Sequence, residues 1–305
     1  ARWLVSWENP LTARVIVNRL WQEYFGQGLV TTSDNFGTQG EKPAHPELLD
    51  WLASELMDSG WSMKRIHRLV VTSATYRRSS KARSDLVERD PDNRLLARQI
   101  AFRLPAELLR DSTLAASGLL YPAVGGHSVF PPQPESVLEL KLDYDPVWDE
   151  SPGKDLYKRG LYIQYQRTTP YPFLQNFDAP DASTPACRRG RSNTPLQALN
   201  LLNDPVFFEA AQFLALRILK KLPAASFHDR LDYGFRLCLG RQPSAKESEV
   251  MLSYITRQTA ILDKEPESVT ELLPVGMEGA DQTEAAAWVG LSRVLLNLDE
   301  FLTRE

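Results

Sequence analysis

Along the first third of the chain, apolar positions recur at helical spacing and are cut at intervals by residues that start or stop helices. After Asn9-Pro10, the residues Leu11, Val15, Leu20, Trp21, Tyr24 and Phe25 repeat with a period near 3.6 until Gly26. Asparagine suits an N-cap, proline the first helical turn, and glycine the left-handed stop, so a helix is expected between them. A second helix is expected from Pro46 to Ser59 on the stripe Leu48, Leu49, Leu52 and Leu56, ended by Gly60. Ser62 caps a third, with Met63, Ile66, Leu69, Val70 and Ser73 on one face and Tyr76 beyond. A fourth begins near Pro105 and carries Leu108, Leu109, Leu114 and Ala115 to Gly118.

The pattern changes in the middle. The stretch GGHSVFPPQPES, rich in glycine and proline, excludes a regular element, and a long irregular passage follows. Within it Leu161, Ile163 and Tyr165 alternate with Tyr162, Gln164 and Gln166, which predicts one half-buried strand over 159–168. Helical spacing returns after Thr194: Pro195 to Leu202, Pro205 to about Leu222 behind an Asn203-Asp204 cap, Asp229 to Leu239, Ser244 to Leu262, and Glu284 to Thr303. A polar, proline-containing loop is expected between the last two. The fold class is therefore mainly α: an orthogonal helical assembly with a loop-rich central segment and minor β structure. It divides into an N-terminal helical part (1–120), an irregular central segment (121–193) and a C-terminal helical part (194–305), with one shared core expected.

Composition narrows the function classes. The 305 residues are 43% hydrophobic, enough to build a core, and the net charge of -4 lacks the basic footprint of a nucleic-acid binder. No apolar run approaches the roughly 20 residues that span a bilayer. Cys187 and Cys238 allow at most one disulfide. The sequence has no Cys-x-x-Cys-His, nucleophile elbow, His-Glu-x-x-His helix, Walker loop or dinucleotide fingerprint. His45, His67, His127 and His228 show no ligand-type spacing, so no metal site is expected. The acidic run Asp143, Asp145, Asp149, Glu150 and Asp155 lacks the EF-hand pattern and reads as solvated loop charge rather than calcium ligands.

Candidate chemistry is densest from Phe177 to Asp204, FDAPDASTPACRRGRSNTPLQALNLLND. Asp178 and Asp181 lie upstream of Arg188, Arg189 and Arg191. Thr194, Pro195 and Gln197 form a Thr-Pro-x-Gln helix start with the spacing of a capping box. Arginines near a helix N-terminus suit a carboxylate, sulfate or phosphate, with Arg167 and Thr168 as further donors. The ligand candidates are Arg167, Arg188, Arg189, Arg191 and Thr194, and an anionic carbohydrate is the partner class considered. The bland reading makes the same charges a clasp that fixes an irregular loop. Asp178 or Asp181 is the acid/base candidate if the chain is an enzyme. Cys187 sits beside cations that favour a thiolate, but no histidine is near it in sequence. Of the tryptophans, Trp21, Trp51, Trp61 and Trp288 fall on helix faces and are expected in the core, while Trp148 is the one considered for ligand contact.

The segments NPLTARVIVNRLWQEYFGQGLV, HPELLDWLASELMDSGWSMKRIHRLVVTSATYRRSS, FDAPD, RRGRSNTPLQALNLLNDPVFFEAA and LSRVLLNLDEFLTRE together resemble the planctomycete-type family called domain of unknown function 1553. The resemblance spans nearly the whole chain, except the acidic segment near Asp143 to Asp155 and the run near Glu265 to Gly279. It implies no established activity. It implies the C-terminal part of a larger exported protein of the cell envelope, with upstream domains of the same polypeptide as partners. Those often include a c-type haem domain, so haem is expected only there and no cofactor in this chain. On that footing the first expectation is a non-catalytic binding or scaffolding module. The alternative is an envelope enzyme acting on polysaccharide.

Overall fold

The computed structural model describes residues 1–81, 84–134, 147–166, 169–274 and 281–304. It divides into two compact units, one of Ala1–Phe102 with Pro185–Arg189, the other of Arg103–Thr184 with Gly190–Arg304.

In the first unit, a 3-10 turn at Arg2–Val5 precedes helices α1 (Thr12–Phe25), α2 (Pro46–Asp58), α3 (Met63–Thr72) and α4 (Ser84–Val87). Asn9 does not sit at the N-cap. Its Oδ1 instead accepts from Leu11 N at 2.9 Å and Thr12 N at 3.1 Å, so it caps from two residues upstream and the helix begins later than Pro10 suggested. Gly26 ends α1 at φ 74°, a left-handed conformation that costs glycine little. Buried Asn18 then holds the return: its Nδ2 donates to Val30 O and its Oδ1 accepts from Val30 N. Gly28 permits this clamp, since a Cβ there would stand 2.6 Å from Asn18 Nδ2. Val17, Trp21 and Phe25 pack against Leu49, Leu52 and Leu56 of α2 and Ile66 and Val70 of α3, forming this unit's core. Trp51 is a correction, because it lies 49% exposed on the outer face of α2.

The second unit contains α5 (Ala106–Ser117), α6 (Pro172–Asn176), α7 (Pro195–Asn203), α8 (Pro205–Lys221), α9 (Phe227–Leu239), α10 (Ala245–Leu262), α11 (Pro266–Leu272), α12 (Gln282–Leu296) and α13 (Asp299–Leu302). Helix α8 is central, packed by α5, α7, α9 and α12, with α10 on the far side of α12. Leu214, Ile218, Leu231, Phe235, Trp288, Leu291 and Leu295 are buried in the core they share. Gly234 lets three helices meet, since a Cβ there would be 3.2 Å from Ile218 Cδ1 and from Leu295 Cδ1. The small sheet pairs Phe102–Arg103 (β1) with Thr303–Arg304 (β2).

Four local expectations are corrected. The apolar face assigned to α5 included Leu108 and Ala115, which are exposed. The segment after Ser244 continues past Leu262 into α11, where a loop was expected. The last long helix stops at Leu296, and Leu298 starts the separate turn α13. The strand expected over 159–168 is not formed among its described residues. They make a 3-10 turn at Gly160–Tyr162, with a single bridge from Ile163 to Val129. The cause lies in α5. Asp111 takes Gly160 N at 2.6 Å and Arg159 Nε at 2.7 Å, while Arg110 donates to Leu156 O at 2.7 Å. Gly160 also approaches so closely that a Cβ would stand 2.7 Å from Glu107 Cα. Side chains of a helix thus hold backbone groups that a strand partner would otherwise pair.

Candidate functional site

The passage from α6 to α8 is held by its own polar side chains. At the end of α6, Asp178 adopts φ 57°, and its carboxylate turns back on Ser192 fourteen residues later. Asp178 Oδ2 accepts from Ser192 N at 2.6 Å, and both carboxylate oxygens accept from Ser192 Oγ at 2.8 and 3.0 Å. Aspartate tolerates this backbone region better than most residues. Asp181 is exposed and accepts from Ser183 N and Ser183 Oγ, the local turn typical of aspartate.

Helix α7 starts at Pro195 with Thr194 at the N-cap, but the capping box is not made. Thr194 forms no side-chain cap bond. Gln197, 1% exposed, points elsewhere: its Nε2 donates to Asn176 O at 2.9 Å and to Ser192 Oγ at 3.0 Å. The buried Gln197 Oε1 has no hydrogen-bond partner among the described residues. One turn later Asn200 continues the chain, accepting from Asn176 Nδ2 at 2.9 Å and donating to Asp204 Oδ2 at 3.2 Å. Asp204 ends the series as the N-cap of α8, taking Val206 N on Oδ1.

Beneath it lies a buried charged centre. Asp204 is 3% exposed, and burial pushes its carboxyl above the ordinary value of 3.8, against the opposing pull of the Val206 N–H and the Arg110 charge. Arg110, 1% exposed, has its basicity lowered by burial. Its Nε and Nη1 have no hydrogen-bond partner among the described residues. The buried Tyr171 hydroxyl stands 3.5 Å from Asp204 Oδ2, and burial raises its pKa strongly, with Asp204 adding to the effect. Tyr157 donates to Glu209 at 2.7 Å, and burial together with that carboxylate pushes it up to about 12. Sequence reasoning missed Arg110. The signal was a charged residue on the same α5 face as Ala106, Thr113 and Ser117, all buried. Trp148, considered for ligand contact, belongs to this interior instead. It stacks on Tyr171 at 5.8 Å and donates to Pro131 O at 2.7 Å.

The arginines divide between the units. Arg191 and Thr194 belong to the second unit with Asp178 and Asp181, whereas Arg188 and Arg189 belong to the first. All three arginines are exposed. In the first unit, Gln22 Nε2 donates to Cys187 O at 3.2 Å, and Arg19 Nη2 lies 3.5 Å from Cys187 Sγ. Both cysteines are free, and burial pushes the Cys238 thiol up to about 12. Arg167 and Thr168 lie outside the described residues, as do Asp143 and Asp145. Asp155, from the same acidic run, pairs with Lys158 at 3.0 Å. No group of three or more potential ligands is placed to hold a metal among the described residues. His45 and His67 serve packing: His45 Nε2 meets Arg94 O, and His67 Nδ1 meets the Tyr24 hydroxyl. A separate cleft in the second unit runs between α9, α10 and α12, lined by Phe227, Leu252, Ile255 and Trp288 with the Arg230–Glu284 ion pair at its edge.

No helix among the described residues is long and apolar enough to cross a membrane. No curated protein matches the chain, and no solved structure does. The family model described as PSD1, protein of unknown function (DUF1553), matches residues 1–255, and the chain belongs to that family.

Proposed function

We propose that this chain is a non-catalytic binding module of an exported cell-envelope protein, and that its ligand contact is the corner where Arg191 and Thr194 lead into α7. The observation that carries this reading is the engagement of Asp178. With Ser192 N and Oγ both donating to it, its carboxylate acts as a loop clasp. The clasp fixes the backbone beside exposed Arg191 at the head of a helix whose N-cap side chain makes no cap bond. A guanidinium beside helix N–H groups suits an anion, and a sulfated or carboxylated sugar carries one. The polysaccharide-enzyme alternative assigns Asp178 or Asp181 as acid or base. Both accept hydrogen bonds from neighbouring serines, which supports a structural role for them. Upstream domains of the same polypeptide, including a haem domain, would supply any redox chemistry.

The test is a sulfate titration followed by backbone amide NMR. The amides of Ser192, Thr194 and Leu196 are expected to shift in the wild-type protein and to stay still in Arg191→Ala at unchanged melting temperature. Equal shifts in both proteins, or none in either, would overturn the corner as the ligand contact.

A further inference from the structure

The bonds described above form one continuous series within the second unit. It runs from Tyr171 and Asp204 through Asn200, Asn176 and Gln197 to Ser192 and Asp178. The links are between side chains except that Gln197 donates to the Asn176 carbonyl and that Ser192 N joins its own Oγ in donating to Asp178. Two ends of this series differ. Asp178 is half-buried beside the exposed Arg191, and Asp204 is in the interior.

We propose that the series is a proton-controlled relay, in which the protonation state of Asp204 sets the hydrogen-bond direction as far as the Asp178–Ser192 clasp. In the ionised state Asp204 Oδ2 accepts from Asn200 Nδ2 and faces the Tyr171 hydroxyl. A proton taken from solvent onto Oδ2 turns that oxygen into a donor, while Oδ1 goes on capping Val206 N. Where that proton is donated to Asn200 rather than to the Tyr171 hydroxyl, the Asn200 amide presents its oxygen to Asp204 and its nitrogen to Asn176. Asn176 Nδ2 then loses its acceptor, and Asn176 is also the residue whose backbone carbonyl accepts from Gln197, so the relay requires a rearrangement of Asn176 as a whole. The other partner of Gln197 Nε2 among the described residues is Ser192 Oγ, which is the point at which the relay meets the clasp.

The surroundings favour such a proton. Burial raises the Asp204 carboxyl, with Arg110 from α5 and Tyr171 at the head of α6 beside it; Asp111 from α5 and Glu209 from α8 act in turn on Arg110, Glu150 on Tyr171, and Tyr157 senses both Glu209 and Arg110. Of these, Arg110 favours the Asp204 anion, against the burial that favours the acid.

The experiment follows the side-chain amide signals of Asn176, Asn200 and Gln197 and the backbone amide of Ser192 by NMR as pH is lowered from neutral. All four are expected to move with one shared midpoint above the ordinary aspartate value of 3.8, and to lose it in Asp204→Asn. Flat signals, or a Ser192 midpoint that persists in Asp204→Asn, would overturn the relay. Should Asp204→Asn fold poorly, Asn200→Ser cuts the series in its middle. Tyr171 ring signals should then still titrate while Gln197 and Ser192 fall silent, and retention at Ser192 counts against the relay. Any effect on ligand contact rests on the proposed role of the Arg191 corner and is read separately with sulfate. Its affinity should change about fivefold or more across the midpoint in wild type and not in Asp204→Asn. No sulfate binding at all would remove the corner as a ligand contact and leave the shared midpoint to decide the relay.

Discussion

Asp204 shows how one buried carboxyl ties chain order to pH. In the folded chain it holds its proton more tightly than in the unfolded chain, because burial disfavours the charge. Its contribution to stability is therefore complete at low pH and is lost as pH rises through the raised folded value. Asp204→Asn keeps an N-cap acceptor and removes the charge. The variant is expected to melt higher than wild type at pH 7, with the gap closing as pH falls, which thermal melts across pH would check. Trp148 makes a second case at this scale. An aromatic in an irregular acidic passage reads as surface, yet it is 7% exposed, edge-on to Phe130 and stacked on Tyr171. Trp148→Ala should cost about 3 kcal/mol or more by chemical denaturation, as buried aromatic truncations do. Neighbours distant in sequence make this burial, so no local pattern carried it.

Helix ends were the most legible elements. Gly26, Gly118 and Gly240 each end a helix in the left-handed conformation, and Ser62 and Ser244 each cap one through the side chain, whereas the helix read from Asp229 in fact starts at Phe227 behind Ser226. These signals act within a turn of the chain, which is why sequence alone reveals them. At Ser244 the capping box is complete and joined to a wider clasp: Glu247 bonds Ser244, and Arg241 reaches both Glu247 and Glu300. The Arg241 guanidinium holds the Glu247 carboxyl down to about 2, from an ordinary 4.5. That stability is present above pH 4.5 and is lost as pH falls toward 2. Because the pair is about a third exposed, Arg241→Ala should cost only about 1 kcal/mol at neutral pH and flatten the acid limb of the stability curve. Thr194 and Gln197 have the same box spacing and do not use it, since Asn176 and Ser192 offer Gln197 a buried bond instead. Gly234 marks a helix crossing rather than an end. Gly234→Leu should force Ile218 and Leu295 apart and destabilise by about 1–3 kcal/mol in a urea titration.

At the scale of the whole molecule, the described residues build separate hydrophobic clusters: one around Val17, Trp21 and Leu52, a large one around Ile218, Phe235 and Leu291, and a small third around Leu262 and Val269. Leu52→Ala is expected to lower hydrogen-exchange protection across Thr12–Thr72, and Ile218→Ala across α8, α9 and α12, as each cavity weakens the elements that line it. The sequence by itself determined the helical class, most helix limits and the family, because periodicity, caps and long motifs are properties of contiguous residues. It also marked Phe177 to Asp204 as the passage richest in polar chemistry. Only the tertiary structure decided what those polar groups do: Asp178 turns back on Ser192, Gln197 leaves its cap for Asn176, and Arg110, unremarked in the sequence, lies with Asp204 and Tyr171 in the interior. The reason is physical. A hydrogen bond between residues fourteen or twenty-one positions apart depends on where the packed helices bring them, and spacing along the chain does not carry that information.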